Sequence, residues 1–259
     1  MKELRVLQIE TTNRCNSRCI FCIHDKLKEF GNMSDSLFLK ILKDAQEIPS
    51  IEIIVPMLLG EPFLDNKIIH RLKQINTILP DKKIHIFTNC SLLTPDIIKD
   101  LYPIKKLIMH FSLNGTRETR RRLMGLDDYE HCIKMIDLYK KSGKPHVVQM
   151  VAHPSVSSGE IKEFKKKFPK GGIIDYKNWS GEQFVALPKT KCVRAMYEMT
   201  IMNDGKVNLC CMEYGKVIFG DVNKSSVKEI WESKERQRYA QMHSEGKYMK
   251  GVCSNCTTA

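Results

Sequence analysis

The stretch Cys15-Asn16-Ser17-Arg18-Cys19-Ile20-Phe21-Cys22 places three cysteines in a C-x3-C-x2-C array shortly after the apolar run Leu4 to Ile9. Three thiolates on one short loop suit one iron–sulfur cluster, but a cubane of four irons needs four ligands. One iron is therefore left open, just as a catalytic zinc keeps a vacant position while a structural zinc is fully ligated. The array predicts a cluster that binds a substrate or cofactor directly.

Two other interpretations of these cysteines are weaker. A zinc knuckle normally pairs two C-x2-C or Cys/His doublets and has no use for a three-residue first gap. Disulfides are also disfavoured, because the chain opens with Met-Lys-Glu-Leu-Arg, has no apolar signal segment and carries ten cysteines in 259 residues. The sequence predicts reduced thiols in a cytoplasmic protein.

The cysteine spacing, with the aromatic Phe21 before the last cysteine, resembles the radical S-adenosylmethionine (radical SAM) superfamily. In that family the open iron chelates the amino and carboxylate groups of SAM, and one electron from the cluster cleaves the sulfonium to give a 5′-deoxyadenosyl radical. The resemblance implies that Cys15, Cys19 and Cys22 hold the cluster and that Phe21 contacts the cofactor. It also implies a reductant such as flavodoxin or ferredoxin.

Composition limits the other functions. A chain of 259 residues, 42% of them hydrophobic, can bury a substantial core, and no apolar run approaches the roughly 18 to 20 residues that span a bilayer. The net charge of +12 fits an anionic partner, but the lysines are spread along helical faces, as on a solvated surface. The one dense basic cluster, Arg120-Arg121-Arg122, could contact a phosphate or carboxylate, or form a solvated helix face.

Alternating apolar strands and amphipathic helices predict an α/β fold of parallel β/α units with right-handed crossovers. We expect five units before residue 160 and a sixth strand near Gly172–Tyr176. Six units resemble the partial (β/α)6 barrel of radical SAM enzymes. The other predicted elements are the strands Leu4–Glu10, Ile51–Val55, Lys83–Phe87, Lys106–Ser112 and His146–Val151, and the helices Ser34–Ile48, Asn66–Leu79, Pro95–Leu101, Asp128–Ser142 and Ser158–Phe168.

The first further motif follows the second predicted strand, and the carboxyl ends of parallel strands are where active sites gather. Gly60-Glu61-Pro62 resembles the family's G-E-P element, which positions the SAM ammonium group. A carboxylate facing a cation is favourable at such a place. The resemblance therefore implies cofactor contacts from Gly60, Glu61 and Pro62.

Two more motifs end strands three and four. Thr88-Asn89-Cys90-Ser91-Leu92-Leu93-Thr94 is similar to the family's T-N-G-x-L-L stretch, with Cys90 in place of the usual glycine. We expect a relaxed turn at Cys90 rather than a thiol near the site. Ser112-Leu113-Asn114-Gly115 resembles S-x-D-G, with asparagine replacing aspartate, so the implied SAM contacts are Asn89, Ser112 and Asn114. Polar side chains too common to assign are Gln149 and His153, and His110 is expected to be a packed core histidine.

The β/α rhythm stops past residue 180, so we predict a barrel over residues 1–185 and a second domain over residues 186–259. In the second domain, Met199–Met202 and Lys206–Leu209 predict a hairpin around Asn203-Asp204-Gly205. A helix is predicted over Ser226–Met242. The cysteines of this region are Cys192, Cys210, Cys211, Cys253 and Cys256.

This cysteine pattern, C-x17-C followed after a long gap by C-x2-C, resembles the twitch domain, the half-size relative of the SPASM domain that holds one auxiliary four-iron cluster. The implied ligands are Cys192, Cys210, Cys253 and Cys256, and the spacing to Cys192 favours Cys210 over Cys211. A structural zinc would use the same four thiolates. Full coordination would make the cluster an electron conduit or a structural site.

The whole arrangement most resembles the 2-deoxy-scyllo-inosamine dehydrogenase family, in which a carbinol carbon loses a hydrogen atom and the substrate radical gives an electron to the auxiliary cluster. We therefore predict oxidation of a sugar, cyclitol or similar small polar alcohol. The position of Cys15 leaves no room for a leader-recognition domain, which lowers the alternative of a peptide-modifying maturase. A sugar epimerase is another alternative.

A non-catalytic iron–sulfur RNA-binding protein is the alternative from a different class. An RNA-binding protein would require neither an open iron nor Glu61, so we expect no nucleic-acid partner. The lack of a long apolar run predicts no membrane partner. The reaction predicted for the barrel needs a proton acceptor. Candidates between the barrel and the second domain are Asp175, Lys177 and Glu182.

Overall fold

The computed structural model describes residues 2–181 and 192–256. Within these residues, strands and helices alternate through the first two thirds of the chain, as the apolar pattern predicts. The strands are β1 Val6–Ile9, β2 Ile53–Val55, β3 Lys83–Thr88, β4 Leu107–Ser112, β5 His146–Ala152, β6 Gly172–Asp175, β7 Glu198–Ile201, β8 Lys206–Asn208 and β9 Ile218–Asp221.

The helices lie between and after these strands, and several begin at a side-chain cap. Ser34 Oγ, for example, accepts a hydrogen bond from Leu37 N at 3.2 Å at the first helix. The helices are α1 Asp35–Gln46, α2 Ile68–Ile78, α3 Pro95–Leu101, α4 Arg117–Met124, α5 Tyr129–Lys140, α6 Ser158–Lys167, α7 Arg194–Tyr197, α8 Val227–Glu232 and α9 Lys234–Ser244.

All nine strands described above form one sheet in the order β6-β5-β4-β3-β2-β1-β7-β8-β9. Neighbours from β1 to β6 are parallel and follow the chain order, which confirms the partial barrel. On the other side of β1, β7 pairs in parallel, with Val6 opposite Glu198 and Ile9 opposite Ile201. The carboxyl-terminal part therefore extends the barrel sheet. Its antiparallel β7–β8 pair confirms the predicted hairpin.

Alternate residues of the strands face the helices and the barrel interior. On β4, Leu107, Met109 and Phe111 are buried in the main apolar core, whereas His110 and Ser112 are half-buried on the opposite face. The strand register extends this pattern across the sheet. The core thus lies between the sheet and its helices, and the barrel interior carries more polar side chains.

Three local predictions were wrong or incomplete. The helix Arg117–Met124 was missed, because its first six residues are polar and give no apolar period. The predicted helix Ser226–Met242 is two helices, broken at Ser233, where ψ is 143° and Oγ accepts from Arg236 N at 3.3 Å to start the next helix. Strand Ile218–Asp221 was also not predicted.

The predicted domain boundary at residue 185 and the candidate base Glu182 lie outside the described residues. In the part of the chain that is described, no helix is both long enough and apolar enough to cross a membrane.

Candidate active site

The three amino-terminal cysteines lie on the loop that follows β1 and border a cavity of about 870 Å³. Their thiols are half-buried, and this burial raises the pKa of Cys19 to about 11 and that of Cys22 to about 12. Thiols with these pKa values stay protonated at neutral pH, but a bound metal centre deprotonates its ligands. Cys15, Cys19 and Cys22 thus offer three sulfur ligands at a space large enough for a cluster and a cofactor.

The cysteine loop is held by the end of α4, the helix that the sequence pattern missed. Ser17 Oγ and Arg18 N both donate to the carbonyl oxygen of Met124 at 2.9 Å. Ile20 N donates to Leu123 O at 2.9 Å. The free carbonyls of a helix carboxyl terminus therefore fix the backbone between the cysteines.

Gly60 is required because the backbone before the cysteine loop passes directly over it. A Cβ at Gly60 would lie 2.1 Å from Thr12 O and 2.9 Å from Arg14 O, distances that no side chain can occupy. Glu61 N donates to Arg14 O at 2.8 Å. The G-E-P segment is thus packed against the strand end that leads into Cys15.

We expect Gly60→Ala to lose most of the amino-terminal cluster, since the new methyl group must displace the backbone of Thr12 to Arg14. Iron analysis after anaerobic reconstitution should show about four irons fewer than the wild type. Gly159→Ala is the matched control, because Gly159 has no positive φ and a Cβ there would meet only Ser157 Oγ, at an ordinary 3.7 Å. Full iron content in the Gly60 variant would contradict the steric argument.

Glu61 is 3% exposed and connects the ends of β2 and β3. Its Oε1 accepts from Thr88 Oγ1 at 2.7 Å and from Phe63 N at 3.3 Å, and its Oε2 accepts from Asn89 N at 2.7 Å. Burial raises the pKa of Glu61 to about 7, against the lowering effect of these donors. Three of roughly four acceptor positions are used by the protein. The contact of Glu61 with the SAM ammonium group stays a prediction, as do those of Gly60 and the buried Pro62.

Asn89 joins the end of β3 to the cysteine loop. Its Nδ2 donates to Asn16 Oδ1 at 2.7 Å, and its Oδ1 accepts from Ser91 N at 3.0 Å. The relaxed turn predicted for Cys90 is wrong: its φ is +72°, and its fully buried Sγ donates to Thr88 O at 3.7 Å. The turn keeps the left-handed backbone of the glycine it replaces, and the thiol faces the core.

Ser112 and Asn114 differ in what they leave open to a ligand. Ser112 is half-buried on the barrel interior, where its Oγ accepts from Gln149 Nε2 at 3.2 Å. Asn114 is 2% exposed, and its Oδ1 accepts from Val151 N at 2.9 Å while its Nδ2 donates to Met124 Sδ at 3.2 Å. Asn114 therefore ties β4 to β5 and α4, and Ser112 is the one that faces the interior.

Arg120 is fully buried, so the solvated helix face, one of the two interpretations of the basic cluster, is excluded for this residue. Its Nε donates to Asp128 Oδ1 at 2.7 Å and its Nη2 to Asn89 O at 2.7 Å. Its Nη1 contacts the carbonyl oxygens of Ser112 and Leu113, each at 3.3 Å. The guanidinium thus binds the backbone at the ends of β3 and β4. One buried arginine therefore supports the motif that begins at Thr88 and the motif that begins at Ser112.

The rest of the basic cluster lies on the surface. Arg122 pairs with Glu160 at 2.5 Å, and the side chain of Arg121 is 62% exposed. The sequence does not distinguish Arg120 from Arg121 and Arg122, because the ion pair between Arg120 and Asp128 forms across a helix end and a turn.

Glu10 links the carboxyl end of β1 to the carboxyl-terminal part of the chain. This fully buried carboxylate accepts from Leu59 N at 3.2 Å through Oε1, and from Tyr214 Oη at 3.0 Å and Asn203 N at 3.3 Å through Oε2. Burial raises the pKa of Glu10 to about 7. Sequence analysis did not identify Glu10, although a carboxylate at the end of an apolar strand was the available signal.

The barrel interior carries a group of uncharged polar and aromatic side chains, which we call the histidine wall: His85, Phe87, His110, Ser112 and Gln149. His110 Nε2 lies 3.1 Å from His85 Nδ1, and the His110 ring stacks on that of Phe87 with centroids 4.1 Å apart. Burial lowers the pKa of His110 to about 4, so both imidazoles are neutral at pH 7. The prediction that His110 is a core histidine was wrong: it is half-buried on the interior face of the sheet, opposite the apolar core.

The other polar residues singled out from the sequence lie away from the wall. His153 Nδ1 bonds the hydroxyl of Ser155 at 2.8 Å, and its ring contacts Tyr176. The Asp175 side chain is 85% exposed and lies 4.0 Å from Lys177 Nζ. Such an open carboxylate is poorly placed to accept a proton from an enclosed substrate.

The carboxyl-terminal cysteines fall into two sets. Cys192, Cys253 and Cys256 are buried in one apolar cluster, against which Cys210 packs. Cys211 instead packs against a separate cluster formed by Ile23, Leu58 and Leu59, against which Cys22 also packs. The packing supports Cys210 as the fourth ligand, as the spacing predicted.

The four packed thiols match the ligand count of a four-iron cubane, in which each thiolate binds a different iron. A tetrahedral zinc would use the same four thiolates on one ion.

We expect Cys210→Ala to lose the auxiliary cluster, about four irons, and Cys211→Ala to retain it. The two adjacent residues form a matched pair, since both side chains are largely buried and only Cys210 packs with the other three thiols. Iron and sulfide analysis of the reconstituted proteins distinguishes them. Loss of iron in the Cys211 variant alone would reverse the assignment.

A model of the radical SAM superfamily matches residues 9–168, more than half of the chain. The chain belongs to this superfamily. A second model, for SPASM, an iron–sulfur cluster-binding domain, matches residues 192–257. This radical SAM protein therefore uses SAM with a four-iron cluster and carries an auxiliary iron–sulfur cluster, and the sulfur positions described above fit both groups.

Among curated proteins, the chain is 31% identical over 112 residues to the tungsten-containing aldehyde ferredoxin oxidoreductase cofactor-modifying protein of Pyrococcus furiosus, covering 43% of this chain and 31% of that protein. It is 24% identical over 247 residues to a GTP 3′,8-cyclase of Clostridium botulinum, covering 90% and 71%. The chain spans about a third of the length of the first curated relatives it matches.

Solved structures share the fold over nearly the whole chain. BtrN in complex with AdoMet and 2-DOIA has a TM-score of 0.66 at 16% identity and covers 99% of this chain and 94% of that one. SuiB of Streptococcus suis bound to precursor peptide SuiA has a TM-score of 0.77 at 15% identity, covering 99% and 70%. These neighbours confirm the partial-barrel fold.

Proposed function

We propose that this protein oxidises an alcohol carbon of a sugar, cyclitol or similar small polar substrate to a carbonyl. The conversion of CH–OH to C=O removes one hydrogen atom, one proton and one electron. When bound, SAM and the two clusters supply the radical that takes the hydrogen atom and an acceptor for the electron. The protein's own side chains must hold the hydroxyl and receive its proton.

The histidine wall is the observation that carries this proposal. The wall lies on the barrel interior, and Ser112 is the last residue of β4. The cysteine loop leaves β1 at the same edge of the parallel sheet. Neutral imidazole, amide and hydroxyl groups each offer a donor and an acceptor, which matches substrate hydroxyls. The unprotonated nitrogen of a neutral imidazole accepts a hydrogen bond. We therefore assign to the His85–His110 pair the holding of the substrate hydroxyl, since their lowered pKa values make them weak proton acceptors at pH 7.

The charge of the interior favours an uncharged substrate. On the six parallel strands β1 to β6, all within the described residues, Lys83 at the amino end of β3 is the only Lys or Arg on the interior-facing register. Recognition of a triphosphate normally uses several cationic groups. The cavity beside the cysteine loop is also lined by Arg14 and Arg18, together with Asp25. The strand face itself, with one lysine at its amino end, supports a neutral polyol over the GTP of the curated cyclases.

Two alternatives use the same scaffold. SuiB is described bound to a precursor peptide, so a peptide-modifying maturase is one, and a sugar epimerase is the other. BtrN, with 2-DOIA bound, is matched over 94% of its length and supports the small-molecule class. The reaction products distinguish them: a carbonyl for oxidation, an inverted carbon for epimerisation and a modified peptide for a maturase.

The test uses neutral cyclitols and hexoses deuterated at their carbinol carbons. We expect the reconstituted enzyme to move deuterium from at least one of them into 5′-deoxyadenosine and to form one carbonyl per transfer. His110→Phe preserves the ring stack with Phe87 but removes both nitrogens. It should raise KM for that alcohol up to about tenfold, because loss of a hydrogen bond to the hydroxyl costs about 0.5 to 1.5 kcal/mol.

His131→Phe, an exposed histidine on α5, controls for histidine loss in general and should behave as wild type. No deuterium transfer from any neutral polyol would contradict the proposed substrate class. An unaltered KM in His110→Phe would contradict the role of the histidine wall but not the proposed substrate class.

We further propose that the protein acts in a reducing compartment such as the cytoplasm, with a flavodoxin- or ferredoxin-type electron donor. All ten cysteines are free. The position of the domain boundary near residue 185 is also a proposal, supported by the gap between the two matched regions.

A further inference from the structure

We propose that His243 donates a hydrogen bond to the sulfur of Cys253 when that cysteine binds the auxiliary cluster, and thereby raises the reduction potential of this cluster. This hydrogen bond would act on the auxiliary cluster itself, whichever substrate the enzyme uses.

The contact is formed in the last turn of α9. His243 is 2% exposed, and its Nε2 lies 3.7 Å from Cys253 Sγ. The ring also packs edge-on against Tyr248, with centroids 5.1 Å apart and an interplanar angle of 81°. The imidazole is therefore held between an aromatic ring and a predicted cluster ligand.

The tautomer follows from the surroundings of the two ring nitrogens. His243 Nδ1 is buried and has no hydrogen-bond partner within the described residues. A proton on Nδ1 would leave a buried N–H without an acceptor, which is costly. A proton on Nε2 instead faces the sulfur of Cys253. The geometry thus favours Nε2 as the donor.

Ligation fixes the direction of the hydrogen bond. A free thiol can act as donor or acceptor, but a thiolate bound to iron has only lone pairs to offer. Hydrogen bonds to cluster sulfurs tune the reduction potential. A donor stabilises the reduced cluster more, because that state carries more negative charge, so loss of the donor lowers the potential.

Arg236, earlier on the same helix, keeps α9 in place. It is 1% exposed, and its Nη1 donates to Ala195 O at 2.6 Å and its Nη2 to Glu198 O at 3.0 Å. These carbonyls belong to α7 and β7, which adjoin Cys192. The histidine is therefore presented to the cysteine group by a helix anchored to the sheet.

The test is an anaerobic redox titration of the holoenzyme followed by electron paramagnetic resonance. The signal that changes on SAM addition belongs to the amino-terminal cluster, so the other reports the auxiliary one. In His243→Phe, which keeps a ring against Tyr248, the ratio of reduced to oxidised auxiliary cluster at a fixed potential should fall about tenfold. For a one-electron couple this is about 59 mV.

Two further variants isolate the hydrogen bond. His243→Gln keeps an N–H donor and should recover part of the shift, whereas Tyr248→Phe alters only the neighbouring ring and should titrate as wild type. An unchanged potential in His243→Phe with full iron content would overturn the proposal.

A measurement on the wild-type chain keeps the test decisive if the phenylalanine variant fails to bind its auxiliary iron. With histidine labelled by ¹⁵N, the reduced auxiliary cluster should show a weak ¹⁵N hyperfine coupling transmitted through the N–H to sulfur bond. Absence of that coupling would also overturn the proposal.

Discussion

Replacing Cys15, Cys19 and Cys22 together by alanine is expected to leave about half of the iron and to abolish SAM cleavage. The wild type should bind about eight irons and eight sulfides, four of each per cluster. The three thiols that border the amino-terminal cavity are removed, while the four that pack together in the carboxyl-terminal part are untouched. Iron and sulfide analysis, with detection of 5′-deoxyadenosine, measures both effects.

Cys132→Ala is the control for this experiment, because Cys132 is buried in the main apolar core. It should retain both clusters and SAM cleavage. If the triple variant retains zinc in place of iron, the carboxyl-terminal cysteines form a zinc site. If it still cleaves SAM, the amino-terminal cavity is not where SAM reacts.

Arg120→Met is expected to destabilise the protein by about 3 to 5 kcal/mol, the usual range when one partner of a buried ion pair is removed. The substitution removes the Arg120 donor from the carbonyls of Asn89, Ser112 and Leu113, and leaves the carboxylate of Asp128 with the hydroxyl of Ser91 as its side-chain partner. Urea unfolding of the anaerobic protein gives the change in free energy. Because two of these carbonyls belong to predicted SAM contacts, SAM affinity should fall as well.

Arg121→Met, one residue away on an exposed position, is the matched control and should change stability by less than about 0.5 kcal/mol. The pH dependence provides a second check. Partial burial raises the pKa of Asp128, but hydrogen bonds from Arg120 and Ser91 lower it overall. Wild type should therefore lose this stabilisation as the pH falls below about 4, through the lowered pKa, and the variant should not. Equal stability of the two variants would contradict the buried role of Arg120.

The parts of the site that the sequence could predict are those carried by short contiguous motifs. The cysteine array, Gly60 and Asn89 each follow an apolar strand, so their positions at one edge of a parallel sheet follow from the β/α alternation. The contacts that hold them together join residues far apart in the chain. Asn89 reaches Asn16, and Met124 holds Ser17, through pairings that only the folded chain creates.

Other features had no sequence signal of their own. The residues that lie beside His110 depend on how β3 and β5 align with β4. The sequence pattern of β4 alone does not predict this register. Cys90 adopts a backbone that its side chain disfavours, because the bond from its backbone N–H to Thr88 Oγ1 fixes the turn. The helix break at Ser233 is decided by a side-chain cap in a run with strong helix formers on both sides.

The pairing of β7 with β1 has a consequence for synthesis of the protein. β1 leads into the cysteine array, yet one of its two neighbours is made about 190 residues later. Until then β1 has an unpaired edge, and Glu10 lacks Asn203 and Tyr214 as partners. Contacts of such long sequence separation form late in folding. The nascent chain therefore presents its first three cysteines on an unfinished scaffold, and stable iron loading at both sites should follow release of the completed chain from the ribosome.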